Sequence, residues 1–424
     1  MPGRTGLTAE GVGDAEGQRT GRRDFRWYWA GQSVSVVGDQ VAAFVLPTIA
    51  ITAFGASSLE VGVLNMLNTG AYSLLGLFVG VLMDRRRRRP VLVASDVVRG
   101  LAFGAVPLLT LSGDSHLGML YAVAVVAGVC AVFFNVASQS HLPTLVGPGF
   151  LGTANARMEI SNTLALVLGP ALGGWLVQWW GGPTALAVNA LSFCFSVAGI
   201  LLIRTPEPPP DAKSRNSLWQ DLREGVRVLW HHEVLRRTTL ASAARNFGNT
   251  AVNTVLLLFA YRALGLSAGV AGILFASGTV AAVLGAWLTV PMRRRAGTGW
   301  ALLGANAAAA VWVFAPLALV LPPLPTLLVM RVVSSFSLPL WNSTVVTLRQ
   351  EAVPAGLLGR VSATAGTLNF SAIPFGALLG GLAAEGLSAA LGTRDGLALT
   401  LTVSGLAAGS GTLALLRRTV RSLP

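Results

Sequence analysis

The sequence predicts an all-α polytopic membrane protein, with twelve transmembrane helices in two pseudo-symmetric six-helix halves. Three observations carry that prediction. Hydrophobic residues make up 53% of the 424-residue chain and charged residues 12%, with a mean hydropathy of +0.63, which leaves too little polar surface to solvate a globular body of this size. The apolar residues gather in runs of about 20, the length that crosses a hydrocarbon core. The two halves also echo one another at a spacing close to half the chain.

In order, the first six spans are Trp27–Ala53, Val61–Met83, Pro90–Ser112, Leu117–Ser138, Ile160–Trp180 and Ala185–Ile203. The second six are Leu240–Tyr261, Val270–Val290, Trp300–Leu321, Leu324–Leu348, Val361–Ala384 and Leu397–Leu416. Each is bounded by turn residues or charges. Gln32, Asp39 and Gln40 interrupt the first. The halves thus occupy 25–204 and 238–418. Residues 1–24, rich in Gly, Arg and Glu and without the apolar core of a signal peptide, read as a disordered cytoplasmic tail, and 419–424 as a short second one. Cys130 and Cys194 lie far apart inside apolar runs, as small membrane-core residues do, and imply no disulfide framework.

The formal charge is +13. A nucleic-acid surface would spread such charge over a solvated face, whereas these arginines sit in knots between apolar runs. Short basic loops stay in the cytoplasm. Assigning alternate loops and both termini to one side places 26 of the 31 Lys and Arg residues there, including Arg85–Arg89 and Arg293–Arg295. The opposite loops hold Arg262 and Arg394, and Arg99, Arg245 and Arg331 fall within spans. Both termini are therefore expected in the cytoplasm, with the chain in a bacterial cytoplasmic membrane.

Residues 205–237 link the halves. Pro206, Pro208, Pro209 and Pro210 open a stiff segment. Leu218, Trp219, Leu222, Val226, Leu229 and Trp230 then recur at helical spacing after a Ser217-x-x-Gln220 capping box, which predicts an amphipathic helix on the inner membrane face. The repeat appears in Val146-Gly147-Pro148 leading to Gly169-Pro170-Ala-Leu-Gly173-Gly174, against Ala352-Val353-Pro354 leading to Pro374-Phe375-Gly376 and Gly380-Gly381.

The loop after the second span reads Gly80-Val-Leu-Met-Asp84-Arg85-Arg-Arg-Arg88-Arg89-Pro90. It resembles the signature loop of the major facilitator superfamily, Gly-x-x-x-Asp-Arg-x-Gly-Arg-Arg, with Arg87 at the usual second glycine. Gly169-Pro170-x-x-Gly173-Gly174 resembles the end of the motif of drug–proton antiporters in that superfamily, with Ala165 in place of its earlier glycine. Ser95-Asp96-Val-Val-Arg99, Leu142-Pro143-x-Leu145-Val146 and Gly359-Arg360-Val361-Ser362 resemble its macrolide- and siderophore-exporting branch. The resemblance runs from Phe25 to Arg418. It implies that Asp84, Arg85 and Arg88 meet the start of the eleventh span near Gly359 and Arg360 when the outside is open, and part from it when the inside opens. The alternative is that Arg85–Arg89 serve topology alone.

Ionisable groups within spans are costly and mark functional candidates. Asp39 lies thirteen residues into its span, about 20 Å from the inner face at the rise of a helix. A carboxyl there can take up and release a proton, so Asp39 is the first candidate for coupling, followed by Glu159 and Asp96. Asp96 and Arg99 share a helix face at i,i+3, and Arg99 is a partner that could approach Asp39. Arg245, Asn249 and Asn253 give the seventh span a polar side, Arg331 stands alone in the tenth and Asn369 interrupts the eleventh; these are the cargo-cavity candidates.

Other patterns carry no chemistry. Gly265-Leu-Ser267-Ala-Gly269 matches a nucleophile elbow, yet all four histidines precede Ser267. Gly147-Pro-Gly149-Phe-Leu-Gly152 follows a membrane helix rather than a strand. His231-His232 has no partners at metal-ligand spacing. The sole lysine, Lys213, follows Ala212 and cannot belong to a phosphate-binding loop. The chain is thus expected to be no enzyme and to hold no cofactor or metal. It reads as a secondary active exporter that moves an amphipathic small molecule by alternating access against the proton gradient. A facilitator-fold importer or uniporter is the alternative, and a non-transporting membrane protein has less support. The expected partners are a small-molecule cargo and the lipid bilayer, with no nucleic acid, and the chain acting as a monomer.

Overall fold

A computed structural model describes residues 9–84, 86–207 and 218–416. Among them the chain is helical throughout. The first half comprises α1 (Ala9–Thr52), α2 (Ser58–Asp84), α3 (Arg88–Ser112), α4 (Leu117–Val146), α5 (Pro148–Trp180) and α6 (Gly182–Leu201). After α7 (Leu218–His231) the second half comprises α8 (Glu233–Leu258), α9 (Ala268–Ala296), α10 (Thr298–Ala309), α11 (Pro323–Ala352), α12 (Ala355–Leu391), α13 (Thr393–Gly409) and the short α14 (Gly411–Leu415). A π-turn over Phe259–Ala263 extends α8, and a 3₁₀ segment over Ala310–Leu319 completes α10. Ten of these helical stretches are long and apolar enough to cross a membrane. The helices α2 and α8 are of similar length, 27 and 26 residues, and carry Asn65, Asn68 and Thr69, and Asn246, Asn249 and Asn253, respectively.

Helix ends differ from the hydropathy boundaries. The segment expected as a tail is helical from Ala9 onwards, since no proline intervenes between Pro2 and Pro47 and a helix already nucleated propagates cheaply. Likewise α4 runs to Val146 and α5 starts at Pro148, joined only by Gly147 at φ +69°. Gly181, Gly297 and Gly392 make the same kind of one-residue corner at φ +79° to +85°, a region open to glycine at no steric cost. Hydropathy marks where lipid begins, whereas these corners mark where the helix stops. Ser217, the expected cap of α7, lies outside the described residues.

The helix ends at Asp84, Val146, Leu201, Ala296 and Ala352 share one end of the molecule with α7; we call it the basic end. At the opposite end a single apolar core joins both halves, with Val45 and Ile49 of α1 and Leu64 of α2 packed in one cluster with Leu256 of α8, Leu274 of α9 and Leu401 of α13. At the basic end the cores separate. Phe25, Tyr28, Met83, Leu92 and Leu145 form one in the first half, and Leu302, Trp341 and Leu348 another in the second. The linker helix α7 rests on the second half rather than on the membrane surface alone. Leu229 is buried with Val353, Val361 and Ala365, and Glu224 pairs with Arg360 of α12.

Two glycine contacts close the opposite end. Gly62 of α2 lies against Gly381 of α12, where a Cβ on Gly381 would come within 2.9 Å of the Gly62 Cα. Gly174 of α5 lies against Gly272 of α9, where a Cβ on Gly174 would come within 3.1 Å of the Gly272 Cα. The pairs are related by the internal repeat, since Gly381 follows Gly174 by 207 positions and Gly272 follows Gly62 by 210. Toward the basic end Gly80 of α2 and Gly359 of α12 each face open space. The bundle is closed at one end and parted at the other.

Candidate functional site

The closed end roofs a cavity of about 310 Å³ between the halves. Polar groups reach it from both sides: Gln40 of α1 and Asn65, Asn68 and Thr69 of α2 face Asn253 of α8 and Arg331 of α11. Asn65 Nδ2 donates to Thr254 Oγ1 at 3.2 Å across the divide. The Phe44 and Phe275 rings meet edge-on at 5.8 Å, also across it. Arg331 donates from Nη1 to Asn253 Oδ1 at 2.6 Å and lies over the Phe275 face at 5.0 Å. Its Nε has no acceptor. Uncharged partners thus hold a cation at the roof of a partly aromatic chamber.

A second cavity of about 610 Å³ lies below, toward the basic end, between α1, α4 and α5. Gln32, Asn135, Gln139, Asn155, Glu159 and Asn162 give it polar walls. The two cavities share helix faces, because Gln32, Val36 and Gln40 follow one another along α1 at four-residue steps, and Glu159, Asn162, Leu166 and Pro170 follow along one side of α5 at steps of three and four. Together they form a path from the parted end to the roof.

Beside this path, inside the first half, Asp39 and Asp96 share Arg99. The Arg99 guanidinium donates to Asp39 Oδ1 and stands 3.6 Å from Asp96 Oδ1, with the Phe193 ring 4.5 Å beneath it. Ser196 donates its hydroxyl to Asp96, and Gln32 in turn donates to Ser196. Gly38 lets α1 approach Asn189 and Ser192 of α6 at this level. With both carboxyls ionised the trio carries one net negative charge, and a single proton on either brings it to zero. The chain Asp96–Ser196–Gln32 connects the trio to the lower cavity, because Gln32 lines that cavity.

The candidates from sequence separate into groups. Asn253 and Arg331 line the roof cavity and Glu159 the lower one, whereas Asp39, Asp96 and Arg99 form the neighbouring cluster. Arg245 is not in a cavity. It is fully buried within the second half, donating to the Ala305 carbonyl at 2.6 Å and to Ser337 Oγ at 2.7 Å. Asn249 is half-buried beyond the roof lining, and the Asn369 carbonyl accepts from Asn246 Nδ2 at 3.1 Å. Arg245 corrects the cavity reading, because a polar residue on α8 can face the helices of its own half as readily as the space between halves, whereas Asn249 and Asn369 are simply not among the residues lining the roof cavity. Gln40, Asn65, Asn68 and Thr69 were not anticipated. The signal was present for Asn65, Asn68 and Thr69 at i, i+3 and i+4 within the second span, and for Gln40 as a polar interruption of the first.

The Gly169–Gly174 motif packs α5 in two directions. A Cβ on Gly169 or Gly173 would collide with Gln40 or crowd Phe44 of α1, and Gly174 meets α9. In the second half Gly376 and Gly380 lie against Phe247 and Ala251 of α8, and Gly381 against α2. The motif therefore brings the cavity-lining α1 and α8 close to the helices that close the roof. The signature loop is tied within the first half, where Glu207 accepts from the Arg88 and Arg89 backbone N–H groups and Arg89 Nη2 donates to the Leu201 carbonyl at 2.8 Å. The Asp84 side chain and Arg85 lie outside the described residues. Among those described, no cluster of His, Cys, Asp and Glu could hold a metal ion.

Known proteins are similar to this chain in sequence or in fold. The multidrug efflux pump Tap of Mycolicibacterium fortuitum is 27% identical over 362 residues, covering 82% of this chain and 86% of that protein. Macrolide efflux protein A of Streptococcus pyogenes is 20% identical over 375 residues, covering 85% and 89%. A bacterial homologue of the lysosomal transporter Spinster, solved in an inward-facing, unoccupied conformation, superposes with a TM-score of 0.71 at 16% identity, over 93% of this chain and 97% of that one. Residues 28–377 match the Major Facilitator Superfamily, and with that match spanning most of a two-halved helical bundle parted around a polar cavity, the chain belongs to that superfamily of membrane transporters.

Proposed function

We propose that this transporter is a secondary active exporter that moves an amphipathic small molecule out of a bacterial cell in exchange for protons. The observation that carries the reading is the Asp39–Arg99–Asp96 trio beside the transport path, with Asp96 and Arg99 buried and Asp39 partly exposed, which one proton neutralises. Ionised groups within a bilayer are too costly to keep for packing alone. The names of the efflux relatives support the outward direction. The arginine distribution supports a cytoplasmic basic end with both termini inside, so that the parted conformation faces inward. Cargo would enter from the cytoplasm, pass Glu159 and Gln32, and settle beneath Arg331 and Asn253 among Phe44 and Phe275. Transport then requires the glycine contacts at the roof to open while the basic end closes. No resident cofactor is needed, since the proton gradient supplies the energy and one copy of the chain holds the whole path.

The test is uptake of a fluorescent amphipathic dye into inverted membrane vesicles with and without an acid-inside pH gradient. Accumulation above equilibrium that collapses with a proton ionophore is expected. Equilibration indifferent to the gradient would instead make the protein a uniporter.

A further inference from the structure

A cavity of about 1150 Å³, larger than either one along the path, lies on the first half alone. Four arginines from three separate stretches of sequence converge on it: Arg23 and Arg26 of α1, Arg157 of α5 and Arg204 just past α6, with Trp27 and Trp29 between them. It opens on the outward face of α1. Trp27, Ala30 and Val34 are exposed along that face, while Gln32, Val36 and Gln40 line the path on the other. The groove thus lies at the basic end of the bundle, on the side where lipid surrounds it.

Its charge is uncompensated. No carboxylate lines the cavity, and among the described residues none of the four guanidinium groups has an ion pair. The acids nearby are engaged elsewhere. Asp24 is buried, accepting from the Arg204 and Thr205 backbone N–H groups and the Thr205 hydroxyl at 2.7–2.8 Å. Glu207 caps α3, and Glu159 faces the lower path cavity. Arg157 is also positioned, with its guanidinium 5.8 Å from both the Trp29 and Phe150 rings and its carbonyl accepting from Trp29 Nε1 at 3.3 Å. Topology alone would not gather arginines from α1, α5 and α6 around one hollow; Arg294 and Arg295 serve topology as exposed residues at the end of α9.

We infer that this groove binds the headgroup of an anionic phospholipid from the adjoining leaflet. Guanidinium groups match phosphate oxygens in pairs, basic pockets between helices at this depth suit anionic headgroups, and tryptophans favour the boundary between headgroup and chain. Trp27, Ala30 and Leu202 supply the apolar floor along which an acyl chain would lie. Such a lipid would staple α1 near Arg23 and α5 near Arg157 to the end of α6, steadying the first half while the second rocks against it.

Native mass spectrometry of the full chain in detergent, titrated with phosphatidylglycerol, phosphatidylethanolamine or glycerol phosphate, tests the assignment. Phosphatidylglycerol should bind most tightly, and R23Q with R26Q should raise its dissociation constant roughly thirtyfold. R294Q with R295Q removes the same charge elsewhere and should leave binding unchanged. If the first double variant does not fold, as judged by gel filtration, R26Q alone should still cost roughly fivefold. Equal loss in both double variants, or unchanged binding in the first, would overturn the site. Glycerol phosphate binding as tightly as the phospholipid would overturn the lipid as its ligand.

Discussion

Asp39 is the residue on which the coupling reading turns. It touches Arg99 directly, and through Arg99 it senses Asp96, so the two carboxyls titrate as a pair rather than separately. Asparagine at position 39 keeps the shape and a hydrogen-bond acceptor for Arg99 but cannot release a proton. D39N is therefore expected to reduce pH-driven accumulation in inverted vesicles to the level of membranes without the protein, while downhill exchange or dye binding persists. A wild-type gradient in that variant would make Asp39 structural and pass the role to Asp96 or Glu159. At the roof, Arg331 holds Asn253 while its Nε has no acceptor, so on the proposed reading this arginine meets the cargo at the end of its path.

At the scale of elements, the two glycine contacts at the roof set the balance between conformations. A valine at Gly381 would press on Ser58 and Gly62 of α2, and one at Gly174 on Ala268 and Gly272 of α9. Overpacking of that kind costs about 1–3 kcal/mol, and it acts only where the helices touch. G381V and G174V are each expected to shift the population away from the closed roof by about fivefold to a hundredfold. Labelling of cysteines placed in the roof cavity from the far side of the membrane would report the shift, and unchanged labelling would show that the helices yield without parting. The opposite bias is expected at the signature loop. If Asp84 supports the closed basic end, D84N should lower transport with membrane insertion intact, measured as dye uptake per unit of inserted protein. Unchanged uptake would leave the loop with topology alone.

For the whole molecule, the asymmetry between one shared core and two separate ones is what makes alternating access mechanically possible. Each half keeps its own basic-end core, so the halves can pivot without either one unfolding. On the proposed reading the arginine distribution orients the molecule in the membrane. A reporter fused after Arg237 or Pro424 should read cytoplasm, and one inserted within Gly113–His116 should read the far side. A cytoplasmic signal from the second site would contradict the number of spans, because every later loop would change sides with it.

Hydropathy by itself determined the helical, membrane-spanning class, because lipid exposure imposes a one-dimensional constraint that each span must meet alone, and helical spacing alone located the linker helix. Asp39, Asp96 and Arg99 were legible for the same reason, since a charge inside a span stands out against its neighbours. Which face a polar residue presents was not legible. Arg245 and Arg331 look alike in sequence, yet one is sealed inside its half and the other caps the path, a difference fixed by rotation of α8 and α11 about their axes. Gln40 and Asn68 joined the site only because the glycine at 169 lets α5 approach α1 and those at 174 and 381 bring helices of different halves within contact. The groove of four arginines likewise exists only where α1, α5 and α6 converge. Tertiary packing decided these features because they depend on distances between segments far apart in sequence, such as Gly62 and Gly381 at 319 positions, and no local pattern records those.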